Sequence, residues 1–272
     1  MPQPKHEPGP KKRAFFAEVL RILLDTGTPF LVGGGFALRA HTGTGRVARD
    51  LDVFVHPRDV RSLLDHFADR GYRVELTFPH WLGKVYKDRS YVDFIFGFGN
   101  GVAPVDDEWF EHALEGEVLG VPVRLSPAEE MLWSKAFVME RERYDGADVI
   151  HLIDARGRDL DWNRLLRRFG PHRLVLLSHL VLFLFVFPSN IDRIPPWVWD
   201  ELTRSLADSR RDARASDEVC RGTLLSRTQY LLALRNGYRD ARLPPEGNMR
   251  SEDVEAWTEA APVKDRNDLA VG

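Results

Sequence analysis

The stretch "GGGFALRAHTGTGRVARDLDVFV", residues 33–55, begins with three consecutive glycines and ends with two aspartates one residue apart. The apolar residues before the glycines are typical of a short buried strand, and residues 36–41 of a short helix. Backbone N–H groups in such a turn can approach a phosphate closely, because the helix N-terminus favours negative charge. A glycine turn taken alone is also explained by the turn itself, so a second signal is needed.

The two aspartates of this stretch supply that second signal. Asp50 and Asp52 flank Leu51, and the apolar, β-branched pattern of residues 51–55 predicts a strand. Side chains two residues apart on a strand share a face, and two carboxylates there repel each other unless a cation lies between them. Mg²⁺ is a natural neutraliser, because it prefers oxygen ligands. The alternative is a pair of solvated acids on an edge strand.

A third carboxylate follows on a later predicted strand. In "SYVDFIFGF", residues 90–98, Asp93 lies between Val92 and Phe94. It joins Asp50 and Asp52 as a candidate metal ligand, although an acid at such a position can also simply face outward.

The remaining chain divides by structural class. Strand and helix patterns alternate up to residue 125, with a predicted strand at 81–87 and a predicted hairpin that turns at Gly120. Helical periodicity dominates afterwards and predicts, among others, one helix over 224–238. We therefore expect an α+β protein, with a mixed sheet flanked by helices and then an all-α C-terminal region. The predicted segments are a disordered N-terminus (1–10), an α/β core (11–125), a helical domain (126–242) and a loose tail (243–272).

Composition excludes several classes of protein. The net charge of −3 gives no global argument for nucleic-acid binding, and the single cysteine excludes a disulfide framework and a cysteine-rich zinc site. The apolar run 174–187 is shorter than the roughly 20 residues of a membrane span, so it predicts a buried helix. Without a signal-peptide pattern, the sequence predicts a cytoplasmic protein that does not bind membranes.

The order glycine turn, short helix, Asp-x-Asp strand and later acidic strand resembles the nucleotidyltransferase superfamily of the polymerase-β type. The matching residues are Gly34, Gly35, Asp50, Asp52 and Asp93. The resemblance covers roughly residues 28–155. The long interval between Gly35 and Asp50 is similar to that of the larger branch that includes AbiEii-type toxins and uncharacterised relatives. The resemblance implies a nucleotidyltransferase-type mixed sheet.

It also implies an activity: transfer of a nucleoside monophosphate from a nucleoside triphosphate to a hydroxyl acceptor, with two Mg²⁺ ions as cofactors. Asp50, Asp52 and Asp93 would be the catalytic residues and the metal ligands. Gly34 and Gly35 would contact the phosphates. The acceptor would be RNA such as a tRNA end, a protein or a small molecule, and a toxin-like role with an antitoxin partner follows by analogy only.

Three basic residues complete the predicted nucleotide-binding set. Arg46 and Arg49 immediately precede the aspartates, and Lys135 belongs to the helix after the core, where the branch carries a lysine. Each has an ordinary alternative as a solvated side chain. The alternative function is a catalytically inactive module of the same fold that binds a nucleotide or another protein.

Overall fold

The computed structural model describes residues 8–43, 48–212 and 218–261. The chain divides into two compact units, residues 1–127 and 128–272, next to the boundary predicted at residue 125. Most of the N-terminal segment predicted as disordered, residues 1–7, lies outside the described residues, as do residues 262–272 of the predicted loose tail.

The first unit combines a mixed sheet with flanking helices, and the second is mainly helical, so the predicted α+β class is confirmed. The described elements of the first unit are α1 (Pro10–Thr26), β1 (Phe30–Val32), α2 (Gly34–Thr42), β2 (Leu51–Val55), α3 (Val60–Ala68), β3 (Arg73–Phe78), β4 (Leu82–Lys87), β5 (Ser90–Ile95), α4 (Asp107–Glu111), β6 (Leu114–Val118) and β7 (Val121–Leu125).

Within the described residues, seven strands form one sheet in the order β3-β4-β5-β2-β1-β7-β6. The pairs β2–β5 and β1–β7 are parallel, and the other neighbours are antiparallel. Because β2 and β5 are adjacent although β3 and β4 separate them in sequence, the two aspartate-bearing strands meet at the centre of the sheet.

Alternation along these strands separates an apolar face from a polar one. Val53 pairs in register with Phe94, and both are fully buried. The ring of Phe67 from α3 packs edge-on against Phe94, with ring centroids 5.5 Å apart. Since neighbouring residues on a strand face opposite sides, Asp52 and Asp93 lie on the other face.

The strands β4 and β5 form a hairpin with a two-residue turn at Asp88 and Arg89. Lys87 pairs with Ser90, and the register continues without a shift to Leu82 opposite Ile95. Asp88 has a φ of 53°, a left-handed conformation that aspartate tolerates better than most residues. This short turn therefore defines which β4 residue lies opposite each β5 residue.

The described elements of the second unit are α5 (Ala128–Ala136), α6 (Gly146–Arg156), α7 (Trp162–Phe169), α8 (Arg173–Val186), α9 (Pro196–Asp212), β8 (Val219–Cys220), α10 (Leu231–Arg235), β9 (Arg239–Asp240) and α11 (Ser251–Glu259). Helix α11 lies within the segment that the sequence predicts as loose. Arg250 holds its first turn through two hydrogen bonds to Asp253, and Arg242 donates to Thr258 near its end.

One stretch of the second unit, Trp162–Val186, is long and apolar enough by length and composition to cross a membrane, and a third of its most apolar window is buried. A core helix of a globular protein passes the same test. The stretch comprises α7 and α8, joined at Gly170, whose φ is 48°. Helix α8 alone has 14 residues, fewer than the roughly 20 that a span needs.

Candidate functional site

The glycine turn at the start of α2 is packed directly against the second aspartate. Gly34 opens the helix with a φ of 54°, and a Cβ added there would lie 1.7 Å from Oδ2 of Asp52. The backbone N–H of Gly33 donates to the carbonyl oxygen of Asp52 at 3.0 Å. Glycine at position 34 is therefore required twice, by the left-handed backbone and by the carboxylate beside it.

The other two glycines are also tightly placed. A Cβ at Gly33 would lie 2.2 Å from the ring of Phe54, and one at Gly35 would lie 3.0 Å from the Cβ of Ala48. Since Gly34 and Gly35 are the first residues of α2, their N–H groups have no carbonyl partner within the helix. The turn thus offers helix N-terminal donors next to Asp52.

The three predicted aspartates lie on one face of the sheet. Asp52 on β2 pairs in parallel register with Asp93 on β5, so their side chains are direct neighbours. Asp50 precedes β2 and contacts α1: its Oδ1 accepts a hydrogen bond from Lys12 Nζ at 3.1 Å. The structure therefore brings together both ends of the stretch 33–55 and the later acidic strand.

A second lysine lies among these acids. Lys84 on β4 is directly opposite Asp93 across the hairpin, and its ammonium group donates to Asp93 Oδ1. The two side chains are 18% and 17% exposed, so this ion pair is largely shielded from water. Asp50 is more open, with a side chain that is 45% exposed.

The ring of Tyr91 lies close to both lysines. Its centroid is 4.2 Å from Lys84 Nζ and 5.9 Å from Lys12 Nζ. Burial raises the pKa of the Tyr91 hydroxyl, and the negative charges of Asp50, Asp93 and Asp52 raise it further. An aromatic face against an ammonium group is attractive, so Tyr91 restrains where the lysines lie.

The electrostatics of Asp93 differ from those of a solvated acid. Burial raises the pKa of its carboxyl above the ordinary value. The hydrogen bond from Lys84 acts in the opposite direction but does not cancel the effect of burial, and the charge of Asp50 adds to the increase. A carboxylate in this state accepts a proton more readily than an exposed aspartate does.

The donor set suits a divalent cation by chemistry, whereas the arrangement seen is one of ion pairs. Carboxylate oxygens are the ligands Mg²⁺ prefers, and the absence of a side chain at Gly34 lets the Asp52 carboxylate lie against the start of α2. Among the residues that the structure describes, no three His, Cys, Asp or Glu side chains are grouped so as to hold a metal ion. Mg²⁺ bound at Asp93 and Asp50 would lie close to the ammonium groups that Lys84 and Lys12 place on Oδ1 of these carboxylates.

The predicted basic residues are placed in three different ways. Arg49 is exposed and immediately precedes Asp50, whereas Arg46 lies outside the described residues. Lys135 belongs to the second unit, where its ammonium donates to Asp145 at 3.0 Å and to Asp148 at 2.8 Å. These contacts give Lys135 a role in joining α5 to α6, and its predicted contact with nucleotide stays a prediction.

The partners of Asp145 favour its ionised form in spite of burial. Burial raises the pKa of the Asp145 carboxyl, but the hydrogen bonds and charges of Arg143 and Lys135 outweigh it and hold the pKa below its ordinary value. Asp145 is therefore an ionised, structural partner of Lys135.

Sequence reasoning missed Lys84, Lys12 and Tyr91. For Lys84 and Tyr91 a signal exists: the predicted strands 81–87 and 90–98 leave a two-residue turn, and counting back from it places Lys84 opposite Asp93. Tyr91 is two residues before Asp93 and so shares its face. No comparable count leads to Lys12, which reaches Asp50 only through the packing of α1 on the sheet.

No protein-family model matches the chain, and no curated protein matches it. Parts of the chain are similar to solved structures of nucleotidyltransferases. ANT(2")-Ia in complex with adenylyl-2"-tobramycin is 19% identical over 47% of this chain and 75% of that one, with a TM-score of 0.36. The lincosamide antibiotic adenylyltransferase LnuA, bound to lincomycin, is 14% identical over 54% of this chain and 98% of that one, with a TM-score of 0.37. The Megavirus polyadenylate synthase is 15% identical over 55% of this chain and 33% of that one, with a TM-score of 0.36. At these TM-scores the likeness carries no argument about the site, which rests on the geometry above.

Proposed function

We propose that the chain is a Mg²⁺-dependent nucleotidyltransferase that transfers a nucleoside monophosphate from a nucleoside triphosphate to a hydroxyl acceptor. The observation that carries the proposal is the contact between the glycine turn and the acidic strands. Gly34 lies against the carboxylate of Asp52, which in turn neighbours Asp93 across parallel strands. N–H groups that can donate to phosphate oxygens are therefore adjacent to carboxylates that can bind a metal ion, as nucleotidyl transfer needs.

In this proposal the glycine turn binds the triphosphate. The N–H groups of Gly34 and Gly35, which have no carbonyl partner within α2, would donate to phosphate oxygens, with the helix N-terminus favouring the phosphate charge. Arg49 is exposed beside Asp50 and would add a positive charge near the phosphates. Arg46 and Lys135 belong to the proposed set from the resemblance alone.

Asp50, Asp52 and Asp93 would hold the metal. Bound Mg²⁺ would supply charge neutralisation for the phosphates and orient them. The acceptor hydroxyl oxygen attacks the α-phosphorus in line, the bond from that phosphorus to the bridging oxygen breaks, and pyrophosphate leaves. Asp93, which neighbours Asp52 across the parallel strands, would take the hydroxyl proton.

A second candidate function has its own supporting observation. The ion pairs Lys84–Asp93 and Lys12–Asp50 neutralise two of the three acids within the chain. A module of this fold that binds a nucleotide or a protein without turnover would have the same arrangement. The AbiEii-like branch, a toxin-like role, an antitoxin partner and a cytoplasmic location are further parts of the proposal that come from the sequence alone.

Transfer of label from α-labelled nucleoside triphosphates tests the function. The protein is incubated with each nucleotide and Mg²⁺, and with RNA, total protein, an aminoglycoside and a lincosamide as acceptors. We expect transfer by the native chain and a loss of at least about 100-fold in Asp52→Asn, because a metal ligand contributes several kcal/mol to such reactions. Asp65→Asn, an exposed acid on α3, is the matched control.

Three outcomes separate the candidates. Transfer that Asp52→Asn retains would refute the carboxylate mechanism. Nucleotide binding without transfer to any acceptor would favour the binding module. Absence of both binding and transfer would leave only the protein-interaction alternative.

A further inference from the structure

Lys84 pairs with Asp93, one of the three proposed metal ligands. Its ammonium group donates to Asp93 Oδ1 and lies 4.2 Å from the centroid of the Tyr91 ring. Building on the proposed function, we propose that Lys84 is a positioning residue that competes with divalent cations for Asp93. The aspartates would then bind a metal ion well only when a nucleotide is present.

The hairpin holds Lys84 at this position. The β4–β5 register is continuous from the turn at Asp88 to the Lys84–Asp93 pair, so the two side chains cannot separate by slippage of the strands. The lysine side chain is 18% exposed, which reduces the screening of its charge by water.

The other carboxylate in register with Lys84 is engaged elsewhere. Glu75 on β3 lies opposite Lys84, but its Oε2 accepts a hydrogen bond from the Tyr86 hydroxyl at 2.8 Å and lies 3.8 Å from Arg73 Nη1. The arginine also stacks on the Tyr86 ring, 3.5 Å from its centroid. Lys84 is therefore directed to Asp93 rather than to Glu75.

Two cations beside one carboxylate repel each other strongly in a shielded site. Without a nucleotide, Lys84 has Asp93 as its ion-pair partner, and a divalent cation would have to displace it. A triphosphate offers the flexible lysine side chain a second anionic partner and frees Asp93. Metal and nucleotide would then each increase the affinity for the other, as linkage requires.

Binding of Mn²⁺ alone to the full chain tests this inference without any measurement of turnover. Free Mn²⁺ is measured by electron paramagnetic resonance during titration of nucleotide-free protein. We expect Lys84→Met to bind Mn²⁺ at least about tenfold more tightly than the native chain, a difference of about 1.4 kcal/mol. Lys84→Arg keeps the charge and should bind as weakly as the native chain. Lys84→Gln serves as a second neutral variant if the methionine variant does not fold.

Two matched variants identify the carboxylate at which the gain in Mn²⁺ affinity arises. Lys87→Met removes an exposed lysine from the same strand, whose partner is Glu18, and should leave Mn²⁺ affinity unchanged. Adding Asp93→Asn to Lys84→Met should abolish the gain. Mn²⁺ affinity that is unchanged or lower in both Lys84→Met and Lys84→Gln would overturn the inference.

The proposed function fails in a distinguishable way. If Asp52→Asn weakens Mn²⁺-nucleotide binding while neutral Lys84 variants leave Mn²⁺ affinity unchanged, the nucleotidyltransferase site stands and the competition by Lys84 is refuted. If the native chain binds neither Mn²⁺ nor Mn²⁺-nucleotide and no variant alters this, both are refuted.

Discussion

Replacing Gly34 with alanine would place a methyl group within the space that the Asp52 carboxylate occupies. The ideal Cβ lies 1.7 Å from Oδ2 and 2.7 Å from Cγ of that side chain, whereas real Cβ atoms almost never approach a heavy atom closer than 3.0 Å. Either Asp52 must rotate or the first turn of α2 must shift. Both changes alter the proposed phosphate and metal site.

Gly34→Ala should lower stability for two separate reasons. The left-handed backbone at a φ of 54° costs an alanine roughly 1–2 kcal/mol. Moving the carboxylate of Asp52 off its rotamer adds about 0.5–1.5 kcal/mol. We therefore expect Gly34→Ala to lower the free energy of unfolding of the first unit by about 1.5–3.5 kcal/mol.

Gly27→Ala is the matched control, because Gly27 ends α1 with a φ of 69° and, among the described residues, a Cβ there would meet no atom within 4 Å. This variant has the backbone cost without the collision. Since the chain has two units, a whole-chain transition need not be two-state, and hydrogen exchange of the β1 and β2 amides reports the first unit directly. Nucleotide affinity should fall in Gly34→Ala and stay unchanged in Gly27→Ala. Equal losses of stability in the two variants would refute the role of the Asp52 contact.

Two further predictions concern the second unit. Glu130→Ala removes a carboxylate that pairs with the buried guanidinium of Arg164. It should lower the free energy of unfolding by roughly 3–5 kcal/mol in urea titrations. The control Glu252→Ala, at an exposed position, should change that free energy by less than about 0.5 kcal/mol. Burial lowers the pKa of His179 below its ordinary 6.5, more than the hydrogen bond to the carbonyl of Ala136 raises it. The unfolded state therefore binds more protons below about pH 6.5, stability falls on acidification there, and the stability difference between the native chain and His179→Gln should shrink between about pH 7 and pH 5. A difference that stays constant over this range, or equal losses in the two glutamate variants, would contradict these assignments.

Much of the first unit could be predicted because its patterns are local. The strand 51–55 and the hairpin at Gly120 follow from β-branched runs and a turn residue, and both agree with the structure. The segment 224–238 shows the opposite case. The sequence favours one helix there, but only Leu231–Arg235 is α-helical. Glu140 accepts hydrogen bonds from the Ser226 hydroxyl and the Arg227 N–H, so contacts distant in sequence override the helical propensity.

The candidate site divides along the same line. The glycines and aspartates of residues 33–55 are close in sequence. Their pattern alone predicts that the glycines form one turn and that the two aspartates share one face of a strand. The proximity of Asp52 to Asp93 does not follow from a local pattern, because it depends on β5 pairing with β2 rather than with β3. Single-sequence periodicity assigns strands to faces but does not give the order of strands in a sheet.

The ion pairs of Lys84 and Lys12 bear on whether the three aspartates need a metal ion. Three acids on one sheet face would repel one another, and a cluster of this kind taken from sequence calls for a metal ion as neutraliser. Here Lys12 pairs with Asp50 and Lys84 pairs with Asp93, so ion pairs within the chain reduce this repulsion without a metal. The sheet is therefore compatible with both a nucleotide-loaded enzyme and an inactive module, because the same lysines stabilise the acids in either. The two differ in whether the three aspartates bind a divalent cation and support transfer to an acceptor when a nucleotide is present.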